Sequence, residues 1–342
     1  MYKKLYLLLL VVFITICQHV KSVNIIEVNF TAESANFVVA KDGTGHFSSV
    51  QAAINAVPDY RRKQTVIFIK NGTYNEKLIL PASKQLVTFV GEDAHKTIIA
   101  YGDWAQKKNI FGEEIGTSGS STFFIYGNDF QAINITFQNT AGPVGQAVAA
   151  HVSSDRSVFY NSRFLGFQDT LYTYSQNSRQ YYKNCYIEGT TDFIFGSSTA
   201  VFDECQIHCL RDSYITAAST NENTRFGYLF YKCSITAEPE VSKMYLGRPW
   251  RNYAKTVFME CEMGAFIHPQ GWHNWSKPEA EITAFYGEYK NTGAGADISN
   301  RVKWSHQLTD EKAKEWTVEN ILSGSDNWEP AVIIYKIINK EF

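Results

Sequence analysis

No apolar run after residue 22 is long enough to cross a bilayer, so a helical membrane anchor in the body of the chain is excluded. No CxxC or HxxxH pair accompanies the cysteines, and no metal is expected. There is no excess of positive charge: 32 Lys and Arg face 34 Asp and Glu. That removes the electrostatic ground for binding nucleic acid. A polyanion would also find no attraction in the overall charge, so an acidic substrate has to be held by local contacts. From about residue 130 onward no long helical period appears either.

Residues 1–22 carry Lys3 and Lys4, an apolar run from Leu5 to Cys17, and a small-residue stretch Val20-Lys21-Ser22. This is the pattern of a secretory signal peptide, and the protein is expected to be extracellular. Removing Lys3, Lys4 and Lys21 leaves 29 basic against 34 acidic side chains, a net charge of −5. Residues 23–342 are expected to form a single domain. Asn29, Asn71 and Asn274 begin sequons that suit glycosylation. Asn134 begins another, but it falls in a strand-like run.

Phe37 to Ala40 reads as a strand and Asp42-Gly43-Thr44-Gly45 as a turn. Phe47, Val50, Ile54 and Val57 then recur at helical spacing until Pro58 ends the helix. Beyond this the chain is strand-rich and repeats itself. Ala132 to Phe137 aligns with Phe159 to Phe164, Tyr181 to Tyr186, Val201 to Ile207, Leu229 to Ile235 and Val257 to Met263. The matching positions are Ile135, Ser162, Cys185, Cys205, Cys233 and Cys261, spaced by 27, 23, 20, 28 and 28 residues. Irregular repeats of short strands at this period predict a parallel β-helix, an all-β solenoid. The tail from about residue 306 to 342 contains a capped helix at Thr309 to Trp316 and is expected to cap one end of the coil.

Four of the five cysteines left after signal removal occupy one coil position. Stacked equivalents lie roughly 4.8 Å apart, so neighbours can pair as a disulfide or pack as small apolar groups. An oxidising compartment favours at least one bridge, and Cys185–Cys205 is the first choice.

Asp169 and Asp192 lie 23 residues apart, each seven residues after a repeat position, which stacks them on one face of the coil. Two stacked carboxylates can serve as acid and nucleophile, bind a cation, or sit as solvated turn residues. A calcium site wants more oxygen ligands than two. Gln168 precedes Asp169, and Gln146 lies about one coil earlier. Two amides beside two acids suit an oxyanion better than an oxocarbenium ion. Arg248 and Trp250 alternate on a short segment, so both should face one side. The Arg can hold a carboxylate ionised, and the Trp can lie against a sugar ring.

With these motifs the chain resembles the pectin methylesterases, or pectinesterases. The resemblance runs from about Phe37 to Trp304. It includes Gly145 to Ala149, Gln168 to Tyr172, Asp192 to Gly196, Leu246 to Trp250 and Tyr286 to Tyr289. It implies a right-handed parallel β-helix that needs no cofactor and removes methyl esters from pectin. Asp192 would be the nucleophile, Gln146 and Gln168 the oxyanion hole, Asp169 the acid and then base, and Arg248 the partner that keeps Asp192 charged. Asp169 must then start protonated, with its pKa raised by the ionised neighbour. Trp250, Tyr172, Phe193 and Phe195 would line a groove for methylated galacturonate. Gly145, where plant members often carry a basic residue, and His151, where others place a groove aromatic or aliphatic residue, depart from the pattern. A capped β-helix with a groove can work as a monomer. A pectin glycosidase, which also needs paired carboxylates, and a catalytically silent pectin binder are the competing readings.

Overall fold

The computed structural model describes residues 30–338. The expected signal peptide and the sequon at Asn29 lie outside the described residues. The named strands pair in parallel throughout and form two sheets. One has eleven strands in chain order, from Phe37–Val39 to His306–Gln307. The other has two arms that meet in the long strands Tyr186–Gly196 and Gln206–Ala218. The chain is therefore a parallel β-helix, with its apolar core running inside the coil.

The repeat seen in the sequence is the coil register. Ile133 lies opposite Tyr160, Tyr160 opposite Lys183, Lys183 opposite Asp203, Asp203 opposite Tyr231 and Tyr231 opposite Met259. Each copy turns the same corner. A residue in the left-handed region comes first: Asn134, Asn161, Asn184, Glu204, Lys232 and Glu260 have φ of 57°, 46°, 53°, 51°, 53° and 54°. The matching residue follows and points inward. Inside the first sheet, Phe159, Tyr182, Phe202, Phe230 and Phe258 stack at centroid separations of 4.8, 4.8, 4.5 and 4.3 Å.

All five described cysteines are free, so the expected Cys185–Cys205 bridge is not formed. Each thiol of the column donates instead to a carbonyl one coil back. Cys185 Sγ reaches Phe159 O at 3.4 Å, Cys205 reaches Tyr182 O at 3.3 Å, Cys233 reaches Phe202 O at 3.2 Å and Cys261 reaches Phe230 O at 3.4 Å. Ser162 Oγ takes the same place over Ala132 O at 3.4 Å. Parallel in-register stacking keeps the Cα–Cβ bonds side by side, whereas a disulfide needs them to converge to about 3.8 Å between Cβ atoms.

The helix Val50–Ala56 is capped by Ser49, whose side chain accepts from Ala52 N. Val50, Ala53 and Ile54 are buried in the interior core, which closes the first end of the coil. The tail behaves differently from expectation. Its strand His306–Gln307 adds the last rung of the first sheet. The helices Asp310–Ala313 and Val318–Leu322 begin at Thr309 and Thr317 caps. The tail from Ala313 to Ile334 packs along the outer flank of that sheet. There Trp316, Ile321, Leu322 and Trp328 cover Val158, Tyr181, Val201 and Leu229. Those strands are apolar on both faces, so the outer flank also has apolar surface to cover.

Candidate active site

The two arms of the second sheet meet at a second corner, and the predicted residues collect there. Asp169 falls between the strands Arg163–Leu165 and Leu171–Thr173. Asp192 sits one coil on, inside the long strand Tyr186–Gly196, where the pairing register slips between Thr191 and Ile194. Leu171 lies opposite Ile194, the same offset of 23 residues that separates the aspartates. Both aspartates are left-handed, with φ of 65° and 50°. Non-glycine residues in this region are uncommon, and here they turn both carboxyls outward from an otherwise apolar edge. Gly189 is required by close approach: a Cβ there would lie 2.2 Å from Phe193 Cβ and 2.6 Å from Phe167 O.

Gln146 and Gln168, two coils and one coil before Asp192, form a parallel bridge. Gln106 Nε2 donates to Gln146 Oε1 at 3.1 Å, which leaves the Gln146 amide N–H groups as donors. Arg248 follows the strand Tyr245–Gly247 and is anchored through its backbone N–H to Thr216 O at 2.9 Å. Its Nε and Nη2 donate to the two Asp192 carboxylate oxygens at 2.9 and 2.7 Å. The guanidinium lies between two rings, 3.9 Å from the centroid of Tyr214 and 3.7 Å from that of Trp275. A planar cation clamped on both faces has its fork orientation fixed before any ligand arrives.

The electrostatics separate the two acids. Burial pushes Asp169 well above the usual carboxylate range, the charge of Asp192 adds to this, and Arg248 opposes it only in part. Burial also holds Asp192 above the usual carboxylate value, but the hydrogen bonds and charge of Arg248 offset part of that directly. Of the two, Asp192 therefore loses its proton first. The raised pKa expected for Asp169 is found, although burial outranks the neighbouring charge as its cause.

Both acids open into a cleft of about 590 Å³ lined by Gln146, Gln168, Tyr172, Phe195, Arg248 and Trp250, among others. Phe124, His151, Tyr172, Phe195 and Ala217 are register partners in succession, and the last three line the cleft. Tyr172 stacks on Phe195 at 4.3 Å and His151 on Tyr172 at 4.6 Å. Burial lowers the His151 pKa to about 4, so this departure from the family pattern is a neutral member of an aromatic row.

Phe193 does not line the cleft. It is fully buried in the interior core together with Ile194. Alternation would have put it on the side of Phe195, but the slip at Asp192 inserts a residue and turns it inward. Trp275, Tyr214, Gln106 and the segment Ile115–Ser118 were not singled out in the sequence. They reach the site from separate parts of the chain, Tyr214 from the strand Gln206–Ala218 and Trp275 from a turn, and Trp275 appeared only as the middle of a sequon. Asn71 is exposed, whereas Asn274 Nδ2, the glycan-accepting atom, donates to Glu281 Oε1 at 2.7 Å. Among the described residues no three His, Cys, Asp or Glu side chains gather as a metal site.

The fold and this corner define a class, the parallel β-helix esterases. Pectin methylesterase from carrot superposes with a TM-score of 0.82 at 37% identity, covering 89% of this chain and 98% of that one. A pectinesterase family model matches residues 36–325, and the chain belongs to the pectinesterase family. Pectinesterase 31 of Arabidopsis thaliana is 42% identical over 285 residues, covering 80% of this chain and 88% of that protein. Probable pectinesterase/pectinesterase inhibitor 6 of the same plant is 42% identical over 313 residues, 88% of this chain. This chain spans 54% of the length of that longer relative.

Proposed function

We propose that the protein removes methyl esters from the galacturonate units of pectin and releases methanol, working outside the cell as a monomer. The observation that carries the reading is the division of labour between the acids: Asp192 is gripped at both oxygens by Arg248 while Asp169 is buried without such a partner. Ionised Asp192 attacks the ester carbonyl carbon, and the carbonyl electrons move to its oxygen. The amides of Gln146 and Gln168 donate to that oxyanion. Collapse breaks the bond to the methoxy oxygen, which takes the proton of Asp169 and leaves as methanol. The resulting acyl-enzyme is an anhydride at Asp192. Asp169, now charged, takes a proton from water as that water attacks the substrate carbonyl. Collapse returns Asp192 as a carboxylate and frees the galacturonate acid. Trp250, Tyr172 and Phe195 supply the apolar faces on which sugar rings lie.

Methanol release from highly methylated pectin, measured for the wild type beside Asp192→Ala, tests the reading. Methanol from the wild type and none from the folded variant is the expected result. Equal release would show that the wrong carboxylate was chosen. New reducing ends without methanol would point to a glycosidase, and neither product to a silent binder.

A further inference from the structure

Gly145 departs from the family pattern immediately before Gln146, and the space it leaves is taken by a distant part of the chain. Residues 105–116 fold back on themselves as a small hairpin. Asn109 N donates to Glu113 O at 2.8 Å, Ile115 N donates to Lys107 O at 3.0 Å, and Lys108 and Glu114 form an antiparallel bridge. The root of this hairpin is seated on Gln146. Ala105 N donates to Gln146 O at 2.9 Å, and Gly116 N returns to Ala105 O at 2.9 Å. The chain leaving the hairpin, Ile115 to Ser118, lines the catalytic cleft. Gln106, next to the root, donates through Nε2 to Gln146 Oε1 at 3.1 Å. Gly145 lies against the same side chain. It has a φ of 115°, which favours glycine. A Cβ there would lie 3.1 Å from Gln106 Oε1 and 3.6 Å from its Nε2. Any larger residue at 145 would therefore contest the place that Gln106 occupies.

We infer that Gln106 is a positioning residue for the oxyanion hole: it holds the Gln146 amide with its N–H groups toward the cleft, and Gly145 is glycine to admit it. The inference rests on the esterase reading. A half-turn about the last torsion of a glutamine exchanges its oxygen and nitrogen, and the torsion itself prefers neither. The two orientations act oppositely on the reaction. An N–H pointing into the cleft stabilises the developing oxyanion, whereas a carbonyl oxygen there repels it. Donation from Gln106 to Oε1 engages the oxygen end on the side away from the reaction. The orientation of Gln106 is set in turn by Gly145, whose Cα hydrogens face Gln106 Oε1 and leave its nitrogen for Gln146. The hairpin thus prepares a donor for a charge that exists only in the transition state. Binding of the methylated polymer itself gains nothing from it.

The test measures kcat and KM separately for methanol release from highly methylated pectin. In Gln106→Ala the freed amide samples unproductive orientations, so kcat should fall about fivefold with KM unchanged. Gln106→Lys can only donate to Oε1 and should restore most of the loss. Gln106→Glu, ionised at neutral pH, can only accept. It should turn the amide around and lower kcat about 10²-fold, the scale of losing one oxyanion donor. This order should survive added salt, which would erase an effect of distant charge alone. Gln106 is exposed, so the three variants should melt with the wild type. Gly145→Ala should lower kcat in the wild-type background and have little further effect on kcat in Gln106→Ala, because the contact it disturbs is already gone. Unchanged kcat in Gln106→Ala, or equal losses in the Lys and Glu variants, would overturn the positioning role and leave the esterase reading standing. Equal effects of Gly145→Ala in both backgrounds would overturn the link to Gly145. No methanol from the wild type on any pectin would overturn the esterase reading and this inference with it.

Discussion

Two corners of the same coil behave in opposite ways. At the cysteine corner the turns from Ser162 to Cys261 repeat one another: a left-handed residue, an inward Ser or Cys, and one thiol or hydroxyl bond to a carbonyl a coil back. At the aspartate corner no two turns match. Gln146, Asp169, Asp192 and Arg248 follow one another, the register slips, and buried carboxyls replace apolar side chains. Left-handed residues at the first corner are Asn, Glu and Lys, none of them buried. At the second they are aspartates that are 8% and 5% exposed. Repetition lets each coil support the next, and chemistry is placed where repetition stops.

The largest effect should come from removing the cation that makes the second corner different. Arg248→Ala leaves Asp192 buried without its partner. We expect kcat/KM for methanol release to fall about 10³-fold, the scale of losing a charge contact that orders a catalytic group. The sign of the pH shift follows from the geometry. Without the guanidinium, burial raises Asp192 unopposed, so the acidic limb of the rate profile should move to higher pH. An unshifted limb would mean that Arg248 serves packing alone.

Gly189→Ala probes the close approach behind the aspartates. The added methyl group meets Phe193 and a backbone carbonyl, and we expect about 2 kcal/mol of destabilisation in denaturant melts, with activity reduced at temperatures where the variant stays folded. Asp169→Asn goes the other way. Its pKa is raised in the fold, so its contribution is full below the unfolded carboxyl pKa and is lost as pH rises through the folded value. Above that value the wild type must bury a charge and Asn does not. The variant should then be more stable than wild type by about 1 kcal/mol and inactive, while near pH 3 the advantage should vanish.

The smallest effect is expected at the regular corner. Cys205→Ser keeps the bond to Tyr182 O, as Ser162 does at its own level, so it should cost about 1 kcal/mol or less and leave methanol release intact. Reductant should not move the wild-type unfolding midpoint. A midpoint that fell with reductant would reinstate the Cys185–Cys205 bridge.

The same contrast explains what could be read from the sequence. The regular corner was legible to the residue: offsets of 27, 23, 20, 28 and 28 are the pairing registers, because a coil of fixed cross-section repeats its inward positions. The aspartates and the two glutamines were legible because their spacing follows that period, and Arg248 because it alternates with Trp250 in a motif. Phe193 was misplaced because a single left-handed residue shifts side-chain parity, and no local pattern announces it. The disulfide was misjudged because equal height does not make two side chains converge. Tyr214 lies in the strand Gln206–Ala218 and Trp275 in a turn far along the chain, and they meet around Arg248, so neither belongs to a motif. The tail showed its helix cap but not the flank it covers, which depends on the outer face of strands far back in the chain.

The central claim is that one carboxyl of the pair is charged while the other holds its proton. The direct measurement is a titration of ¹³C-labelled aspartate carboxyls in the resting enzyme, with Asp169→Asn and Asp192→Asn used to assign the two signals. The account predicts a pH range in which Asp192 is ionised and Asp169 is still protonated. An ordinary carboxyl pKa for Asp169, or Asp169 losing its proton before Asp192, would contradict it.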